Sequence, residues 1–376
     1  MKVAFYAPLK PPDHPVASGD RQLARALLDA LRFAGHVPIV ASRFRSFDLH
    51  GDAYRQERLA QLGKRLAQRI IRHLRHTDRP DVWLTYHLYH KAPDWLGPAV
   101  SAALDIPYVV AEASVAGKQR MGRWAKGYAS SVAAVEAAAA MLVFNPVDVA
   151  GIRAIRDPMR PGEIVPPFLD LSAFVGPLPP RPREARTLDE PVRLITVAMM
   201  RTGAKLASYR LLADALARLA SLAWELVVVG DGPVRAEVEN AFTGIEAQRI
   251  RFVGLHAPEG VAALLRESDI FLWPAIDEAF GMVFIEAQAC GLPVVAGDSG
   301  GVAAVVSRDR TATLVPLGDV KAFTAATKRL LLDAKLRQRM GRDAEAYVRA
   351  HHDLPMAAAR IDTLLRRVVA EHAAHA

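Results

Sequence analysis

Short apolar segments alternate along the chain with longer segments that carry apolar residues at helical spacing. Apolar runs bounded by turn residues are typical of buried strands, and the amphipathic segments between them are typical of helices. Their alternation predicts βαβ units with parallel sheets. In the first half of the chain the predicted strands are Val3–Tyr6, Val37–Ala41, Asp81–Tyr86, Tyr108–Ala111 and Met141–Phe144, and the clearest helix is Asp20–Phe33.

The same alternation restarts after a proline-rich stretch, from Pro166 to Pro182, that is typical of a linker. The predicted strands beyond it are Val192–Met199, Leu226–Val229, Ile250–Val253, Ile270–Trp273, Val294–Ala296 and Thr313–Val315. The predicted helices are Leu206–Leu219, Val261–Arg266, Lys321–Leu332 and, at the end, Pro355–Ala370. We therefore predict an α/β protein with two Rossmann-like domains and a cleft between them, divided into residues 1–168, a linker at 169–190, residues 191–354 and a final helix within 355–376.

The composition supports an ordered chain in a reducing compartment. With 376 residues, 51% of them hydrophobic, the sequence can bury two cores, which excludes global disorder. No apolar run approaches the ~20 residues of a membrane span, and the first residues have the pattern of a strand and not of a signal peptide. The single cysteine, Cys290, excludes an internal disulfide. We expect a cytoplasmic protein.

A net charge of +8 favours anionic partners. Residues 55–79 combine eight basic side chains with leucine and isoleucine at helical spacing, so they predict a basic amphipathic helix. Such a helix is either a solvated outer helix or a weak, salt-sensitive contact with an anionic membrane. A second cluster lies in a predicted loop and offers either the same contact or a grip on an acidic acceptor: Lys118, Arg120, Arg123 and Lys126 with Trp124. No pattern of a nucleic-acid-binding domain accompanies the charge, so no nucleic acid is expected.

The most informative segment runs from Glu278 to Glu286, between a predicted strand and Gly291-Leu-Pro. Glu278 follows the strand in a loop, and open α/β sheets bind ligands at this end of their strands. A helix is predicted from about Gly281 to Cys290, and its first amides form an anion site. Those amides belong to Gly281, Met282 and Val283. Two carboxylates beside an anion-binding helix start suit a ligand that is part sugar and part phosphate.

This segment, with the flanking Ala287–Ala296 and Gly300-Gly301, resembles the E-x7-E signature of glycosyltransferase family 4, whose members are retaining enzymes with a GT-B fold. The segments Ser18-Gly19-Asp20 and Gly35-His36-Val37 also resemble that family, and residues 166–174 do so in part. The resemblance implies that the first domain binds the acceptor and the second the nucleotide sugar. It also implies that the final helix crosses back onto the first domain.

The resemblance assigns roles to individual residues. Glu278 would contact the transferred sugar, while Arg201 and Lys205 would hold the diphosphate; these three are the predicted catalytic residues. The predicted donor-binding residues are Gly19, Gly230, Gly232, Phe280, Gly281, Met282, Val283 and Glu286, the last on the donor ribose. The implied mechanism is front-face displacement. Because no two aspartates are separated by one residue, the metal motif of GT-A enzymes is absent, and we expect neither a metal nor another cofactor.

Two positions depart from the family. Ala304 stands where a glutamate is common, and no histidine follows the strand at Pro107-Tyr-Val-Val, so Glu112, Ser114 or His87 would have to replace it. We expect transfer of a sugar, of the hexose type, to a hydroxyl acceptor, either a lipid-linked glycan or a cell-envelope polysaccharide precursor. A nucleotide-sugar epimerase and a non-catalytic sugar-nucleotide-binding subunit remain alternatives. Uridine, guanosine and adenosine donors all remain open.

Overall fold

The computed structural model describes residues 1–16, 18–76, 79–156, 159–174, 190–278 and 281–375. The chain divides into two compact units. Unit 1 comprises Met1–Pro167 and Leu354–Ala376, and unit 2 comprises Phe168–Asp353. Each unit contains a six-stranded parallel sheet flanked by helices, so the predicted α/β class is confirmed.

The sheet of unit 1 has the strand order β2-β1-β3-β4-β5-β6. Its strands are β1 Lys2–Tyr6, β2 Val37–Ser42, β3 Val82–Tyr89, β4 Tyr108–Ser114, β5 Ala140–Val143 and β6 Gly162–Ile164. Its helices are α1 Gly19–Phe33, α2 Ala53–His76, α3 Gly97–Leu104, α4 Ala125–Ala137, α5 Val149–Arg153 and α12 Leu354–His375. The central strands are buried along most of their length, as expected for a parallel sheet covered on both faces.

The last helix, α12, belongs to unit 1 and packs against α1. Ile361 and Leu365 are fully buried on its inner face. At its edge, His36 Nε2 lies 3.0 Å from Asp362 Oδ1, and Arg360 Nη1 donates to the carbonyl of Ile164 at 3.0 Å. The helix therefore completes the core of unit 1, although 186 residues of the chain separate it from Pro167.

The sheet of unit 2 has the strand order β12-β11-β10-β7-β8-β9. Its strands are β7 Val192–Val197, β8 Trp224–Val229, β9 Ile250–Gly254, β10 Ile270–Trp273, β11 Val294–Gly297 and β12 Ala312–Val315. Its helices are α6 Ala204–Ala217, α7 Arg235–Ala241, α8 Pro258–Arg266, α9 Met282–Ala289, α10 Val320–Leu332 and α11 Ala334–His351. Leu169, Leu171 and Phe174, within the predicted linker, are buried in the core of this unit. Residues 175–189 of that linker lie outside the described residues.

Each strand order reverses direction once. In unit 1 the reversal lies between β1 and β3, and in unit 2 it lies between β7 and β10. At such a switch point the connections leaving two neighbouring strands run to opposite sides, which opens a crevice at the carboxyl ends of the strands. Each unit therefore has one place where its fold favours ligand binding. No helix within the described ranges has the length and apolarity needed to cross a bilayer.

Candidate active site

The switch point of unit 2 brings together two of the predicted catalytic side chains. Lys205 is the second residue of α6, which follows β7, and Glu278 lies in the loop that follows β10. The two strands are hydrogen-bonded neighbours, with Ile270 opposite Leu194. Lys205 Nζ forms an ion pair with Glu278 Oε2. The sequence places both residues in one site, and the structure adds that they are in direct contact.

The Glu278 carboxylate is held from several sides. The indole N–H of Trp273 donates to Glu278 Oε2 at 3.2 Å, and Lys205 Nζ lies 5.2 Å from the centroid of the same indole ring. The Ser299 hydroxyl accepts from the amide of Glu278 and donates to its carbonyl, both at 3.0 Å. With 15% of its side chain exposed, Glu278 is largely enclosed but still reachable. Charge-assisted hydrogen bonds of this kind fix an acceptor in place for a ligand hydroxyl.

The loop between β10 and α9 has an unusual backbone. Ala275 and Asp277 have φ angles of 55° and 52°, a left-handed conformation that is uncommon for residues other than glycine. The buried Ser208 hydroxyl of α6 accepts from the amide of Ile276 at 3.0 Å and anchors this loop to α6. Strain of this kind persists where surrounding contacts over-determine the conformation, and it clusters at functional sites. The loop therefore holds Glu278 in a defined position beside α6.

Helix α9 begins at Met282, one residue later than predicted, after Gly281 with a φ of 64°. A Cβ atom at Gly281 would lie 2.5 Å from the ring of Phe284, so glycine is required there. The first amides of the helix, including those of Met282 and Val283, have no helical carbonyl to bind. Glu286 lies in the second turn and is half-buried. Phe280, whose backbone was predicted to hold the donor, lies outside the described residues.

The turn after β8 packs directly against the segment that follows β7. Gly230 and Gly232 have φ angles of 140° and 159°. A Cβ atom at Gly230 would lie 2.0 Å from the carbonyl oxygen of Ala198, and one at Gly232 would lie 2.2 Å from that of Met200. Only glycine allows this close approach of two backbones. The turn therefore fixes the segment that leads to Arg201, so the carboxyl ends of β7, β8 and β10 jointly form the site.

The switch point of unit 1 holds a second cluster of polar side chains. Asp20 lies in the first turn of α1, where the Ser18 hydroxyl caps the helix by accepting from the amide of Arg21 at 3.3 Å. His87, near the end of β3, places Nδ1 3.0 Å from Asp20 Oδ1. Gly19 opens α1, and a Cβ atom there would meet no atom of the described residues within 4 Å. The space above Gly19 is therefore open to a ligand.

Glu112 lies beside His87 in the sheet. The register pairs Tyr86 with Ala111 and Leu88 with Ala113, so His87 and Glu112 are opposite each other, with φ angles of 59° and 61°. Glu112 is 5% exposed and accepts a hydrogen bond from the amide of Phe144 at 3.2 Å. Burial raises the pKa of Glu112 to about 7, against the opposing effect of His87.

The charges of this cluster are mutually coupled. Burial lowers the pKa of His87, but the neighbouring carboxylates of Asp20, Glu112 and Asp148 outweigh that effect and raise it. Burial likewise raises the pKa of Asp148, while its hydrogen bond with Ser114 works in the other direction. The three residues proposed to replace the family histidine, Glu112, Ser114 and His87, thus belong to one cluster. Sequence reasoning missed the part played by Asp20 and Asp148.

Two further residues of the unit 2 site were not foreseen. Trp273 is the last residue of a buried strand, so its pattern indicates a core position, and only the structure shows that its N–H points to Glu278. Ser299 directly precedes the Gly300-Gly301 pair, and this position is the sequence signal from which its place in the site could have been predicted. Among the described residues, no group of three or more histidine, cysteine, aspartate or glutamate side chains is placed to hold a metal ion.

Comparisons with known proteins match this architecture. Residues 191–333 match the family described as "Glycosyl transferases group 1". The chain is 34% identical, over 209 residues, to a D-inositol 3-phosphate glycosyltransferase from Salinispora tropica; the match covers 51% of this chain and 43% of that enzyme. The chain thus matches less than half of the length of this curated relative.

Solved structures share the fold over nearly the whole chain. A sucrose-phosphate synthase from Thermosynechococcus elongatus has a TM-score of 0.73 at 20% identity, covering 99% of this chain and all of that one. Anabaena Alr3699/HepE in complex with UDP has a TM-score of 0.74 at 16% identity, covering 98% of this chain and all of that one. The predicted GT-B class is therefore confirmed: the chain has the fold of solved GT-B glycosyltransferases, and its second unit carries the sequence pattern of the group 1 glycosyltransferases.

Proposed function

We propose that the protein is a retaining, metal-independent glycosyltransferase that moves a hexose from a nucleoside diphosphate sugar to a hydroxyl acceptor. The observation that carries this proposal is the Lys205–Glu278 contact at the switch point of unit 2, inside the segment that matches the group 1 glycosyltransferases. Lys205 and Arg201 provide the positive charge that a departing diphosphate requires. Glu278 provides an acceptor for sugar hydroxyls, and Glu286 one for the ribose.

In the proposed reaction the bond between the anomeric carbon and the diphosphate oxygen breaks, and the oxygen leaves with the electron pair. The acceptor oxygen forms its bond to the anomeric carbon on the same face. Its proton passes to the departing phosphate. Lys205 has two partners in this scheme. Without a donor it pairs with Glu278, and during the reaction it also stabilises the negative charge that develops on the diphosphate.

The comparisons support parts of the substrate proposal. The Anabaena structure contains UDP, which favours a nucleotide donor and makes uridine the first base to test. The Salinispora relative is named for D-inositol 3-phosphate, a phosphorylated polyol. For this chain we propose a lipid-linked glycan or a cell-envelope polysaccharide precursor as the acceptor, as the sequence resemblance implies. The contact of α2 with an anionic membrane stays a prediction.

The decisive test is the Glu278→Ala variant, assayed with UDP-, GDP-, ADP- and CMP-sugars. We expect turnover to fall at least about 100-fold, as for the loss of an electrostatic contact to the transition state. Binding of the nucleoside diphosphate should persist, since Lys205 loses its competing partner. The matched control is Glu259→Ala, which removes an exposed carboxylate from the first turn of α8. Wild-type turnover in Glu278→Ala would refute the assignment.

The product analysis separates the alternatives. An epimerase would release an altered sugar with no acceptor present, whereas a transferase needs the acceptor to form its product. A non-catalytic subunit would bind the donor, with a rise in thermal stability of about 2.7 kcal/mol at 100 times the dissociation constant, but would turn nothing over. Ala304, which stands where the family commonly has a glutamate, favours this last alternative. The enclosed Glu278 and its ion pair with Lys205 argue against it.

We further propose that His87 takes the place of the family histidine in unit 1, with Asp20 as its positioning residue. Because Asp20 raises the pKa of His87, Asp20→Asn should lower that pKa. The groups that face His87 are Asp20 on α1, Glu112 on β4 and Asp148 beyond β5, so two carboxylates remain in the variant. NMR titration of His87 measures the shift, and the acidic limb of the pH–rate profile should move to lower pH with it. An unmoved limb would show that His87 takes no part.

A further inference from the structure

The basic side chains of Lys91 and Arg123 in unit 1 lie against the indole of Trp124, which directly precedes α4. Lys91 Nζ lies 4.8 Å and Arg123 Cζ lies 5.3 Å from the centroid of that ring, and the ring of His90 lies 5.6 Å away. Burial lowers the pKa of His90, and the nearby charges of Lys91 and Lys118 lower it further. We call His90, Lys91, Arg123 and Trp124, together with Lys118 because its charge acts on His90, the basic shelf.

Within the part of the chain that the structure describes, the positive charge of the basic shelf has no carboxylate beside it. Among the described residues, no carboxylate lies within ion-pair distance of Lys91, Lys118 or Arg123, and the Arg123 guanidinium donates instead to the carbonyl of His50 at 3.3 Å. Lys126, one turn further along, differs because it pairs with Glu57. Holding like charges together costs free energy, which a bound anion would offset.

The basic shelf is also built into the fold. The buried Gln56 side chain donates to the carbonyl of Arg123 at 2.8 Å and accepts from the amide of Gly127 at 3.3 Å. A Cβ atom at Gly127 would lie 2.0 Å from the carbonyl oxygen of His90, so α4 packs closely against the end of β3. The backbone that carries Arg123 and Trp124 is therefore fixed before any ligand arrives, which lowers the entropic cost of binding one.

A chain of ring contacts connects the basic shelf to His87. The rings of His87 and Tyr89 lie 5.4 Å apart, and those of Tyr89 and His90 lie 5.2 Å apart. We propose that the basic shelf binds a phosphate group of the acceptor, so that the acceptor is a hydroxyl compound carrying phosphate away from its reacting hydroxyl. Arginine and lysine together suit phosphate, the one as a bidentate fork and the other as a point charge. This inference rests on the proposed function and names the substrate class of the same reaction.

The test compares glucose 6-phosphate with glucose by calorimetry at 0.15 M salt. We expect the phosphorylated sugar to bind at least tenfold more tightly, and the Lys91→Ala/Lys118→Ala double variant to lose that preference. Lys126→Ala is the matched control and should keep it, because Glu57 already neutralises Lys126. Binding at the basic shelf should also raise the pKa of His90 in an NMR titration, since the anion offsets the two lysine charges.

Two further arms identify where the phosphate binds and where it comes from. Lys205→Ala removes a cation from the diphosphate site; if it abolishes glucose 6-phosphate binding while the double variant does not, the inference is overturned and the proposed function stands. Vesicles containing phosphatidylinositol, against phosphatidylcholine vesicles, test a lipid headgroup as the source. Loss of vesicle binding alone in the double variant supports a lipid-borne phosphate. Unchanged binding of both probes overturns the inference.

Discussion

Glu112 is the residue whose chemistry depends most on its surroundings. In the sequence it is a carboxylate that follows an apolar strand and one of three candidates to replace the family histidine. The structure encloses it beside His87 and Asp148, in a left-handed backbone conformation, with a pKa of about 7. A carboxyl group with such a pKa is half protonated near neutrality, so small changes around it alter its charge.

This pKa predicts how stability depends on pH. Because the pKa of Glu112 is raised on folding from 4.5 to about 7, the folded protein binds more protons than the unfolded chain between those values. The contribution of Glu112 to stability is therefore fully present below pH 4.5 and is lost as the pH rises through 7. Glu112→Gln should remove this loss. The unfolding free energy of the variant minus that of the native protein should therefore be more favourable at pH 8 than at pH 4.5, by on the order of 3 kcal/mol.

Denaturant unfolding of Glu112→Gln and of the native protein at pH 5, 6, 7 and 8 measures this difference. The free energy of unfolding of the variant should vary less with pH across that range. The isosteric amide keeps an acceptor for the amide of Phe144, so loss of that hydrogen bond does not confuse the result. Parallel pH profiles for the two proteins would contradict the raised pKa.

At the scale of single elements, the glycine turn after β8 controls the geometry of the donor site. It is the feature through which β8 positions the segment before Arg201, because two backbones approach each other without any side chain between them. Gly230→Ala would force a Cβ atom to within 2.0 Å of the Ala198 carbonyl oxygen. We expect a loss of more than about 1 kcal/mol of stability, together with weaker binding of nucleoside diphosphate.

The control for Gly230→Ala is Gly244→Ala, in the same unit. A Cβ atom there would contact none of the described residues within 4 Å, and its backbone does not adopt a left-handed conformation. Its stability should change by no more than about 0.5 kcal/mol, as is usual for surface substitutions. Thermal unfolding and calorimetric titration with UDP compare the two variants. Equal effects of the two substitutions would show that the turn has no special role.

The sequence predicted most elements because their signals are local. Strands such as Ile270–Trp273 are uniformly apolar and bounded by turn residues, and the structure places that strand within the same bounds. The strand β6 was not predicted, since its three residues carry too short a pattern to be recognised. The prediction of a loop for the basic residues 118–126 is wrong at both ends, since Lys118 lies in a 3-10 turn and Lys126 lies in α4. Lys126 forms an ion pair with Glu57 of α2, a helix that is distant in sequence, so its environment could not be predicted locally.

At the scale of the whole molecule, strand order was the missing information. Neither the Lys205–Glu278 pair nor the Asp20–His87 pair follows from residue spacing, because each joins side chains at the carboxyl ends of two strands that become neighbours only in the folded sheet. In both cases those strands flank the point where the order reverses. The family resemblance supplied Glu278 and Lys205, and Asp20 lies in a segment that resembles the family. The resemblance could not supply the pairing of Asp20 with His87, because the His87 cluster departs from the family pattern.

Because unit 1 is built from two separate parts of the chain, its folding during synthesis cannot finish before the second part has been made. All residues of unit 2 leave the ribosome before α12 does, so unit 2 has its complete sequence available first. Until then, the surface of α1 that α12 will cover remains uncovered, and a nascent chain exposes apolar surface of this kind to chaperones or to other chains. The packing of α12 against α1 thus ends this exposure. Premature termination within α12 would leave the apolar surface of α1 uncovered although the sequence of unit 2 is complete.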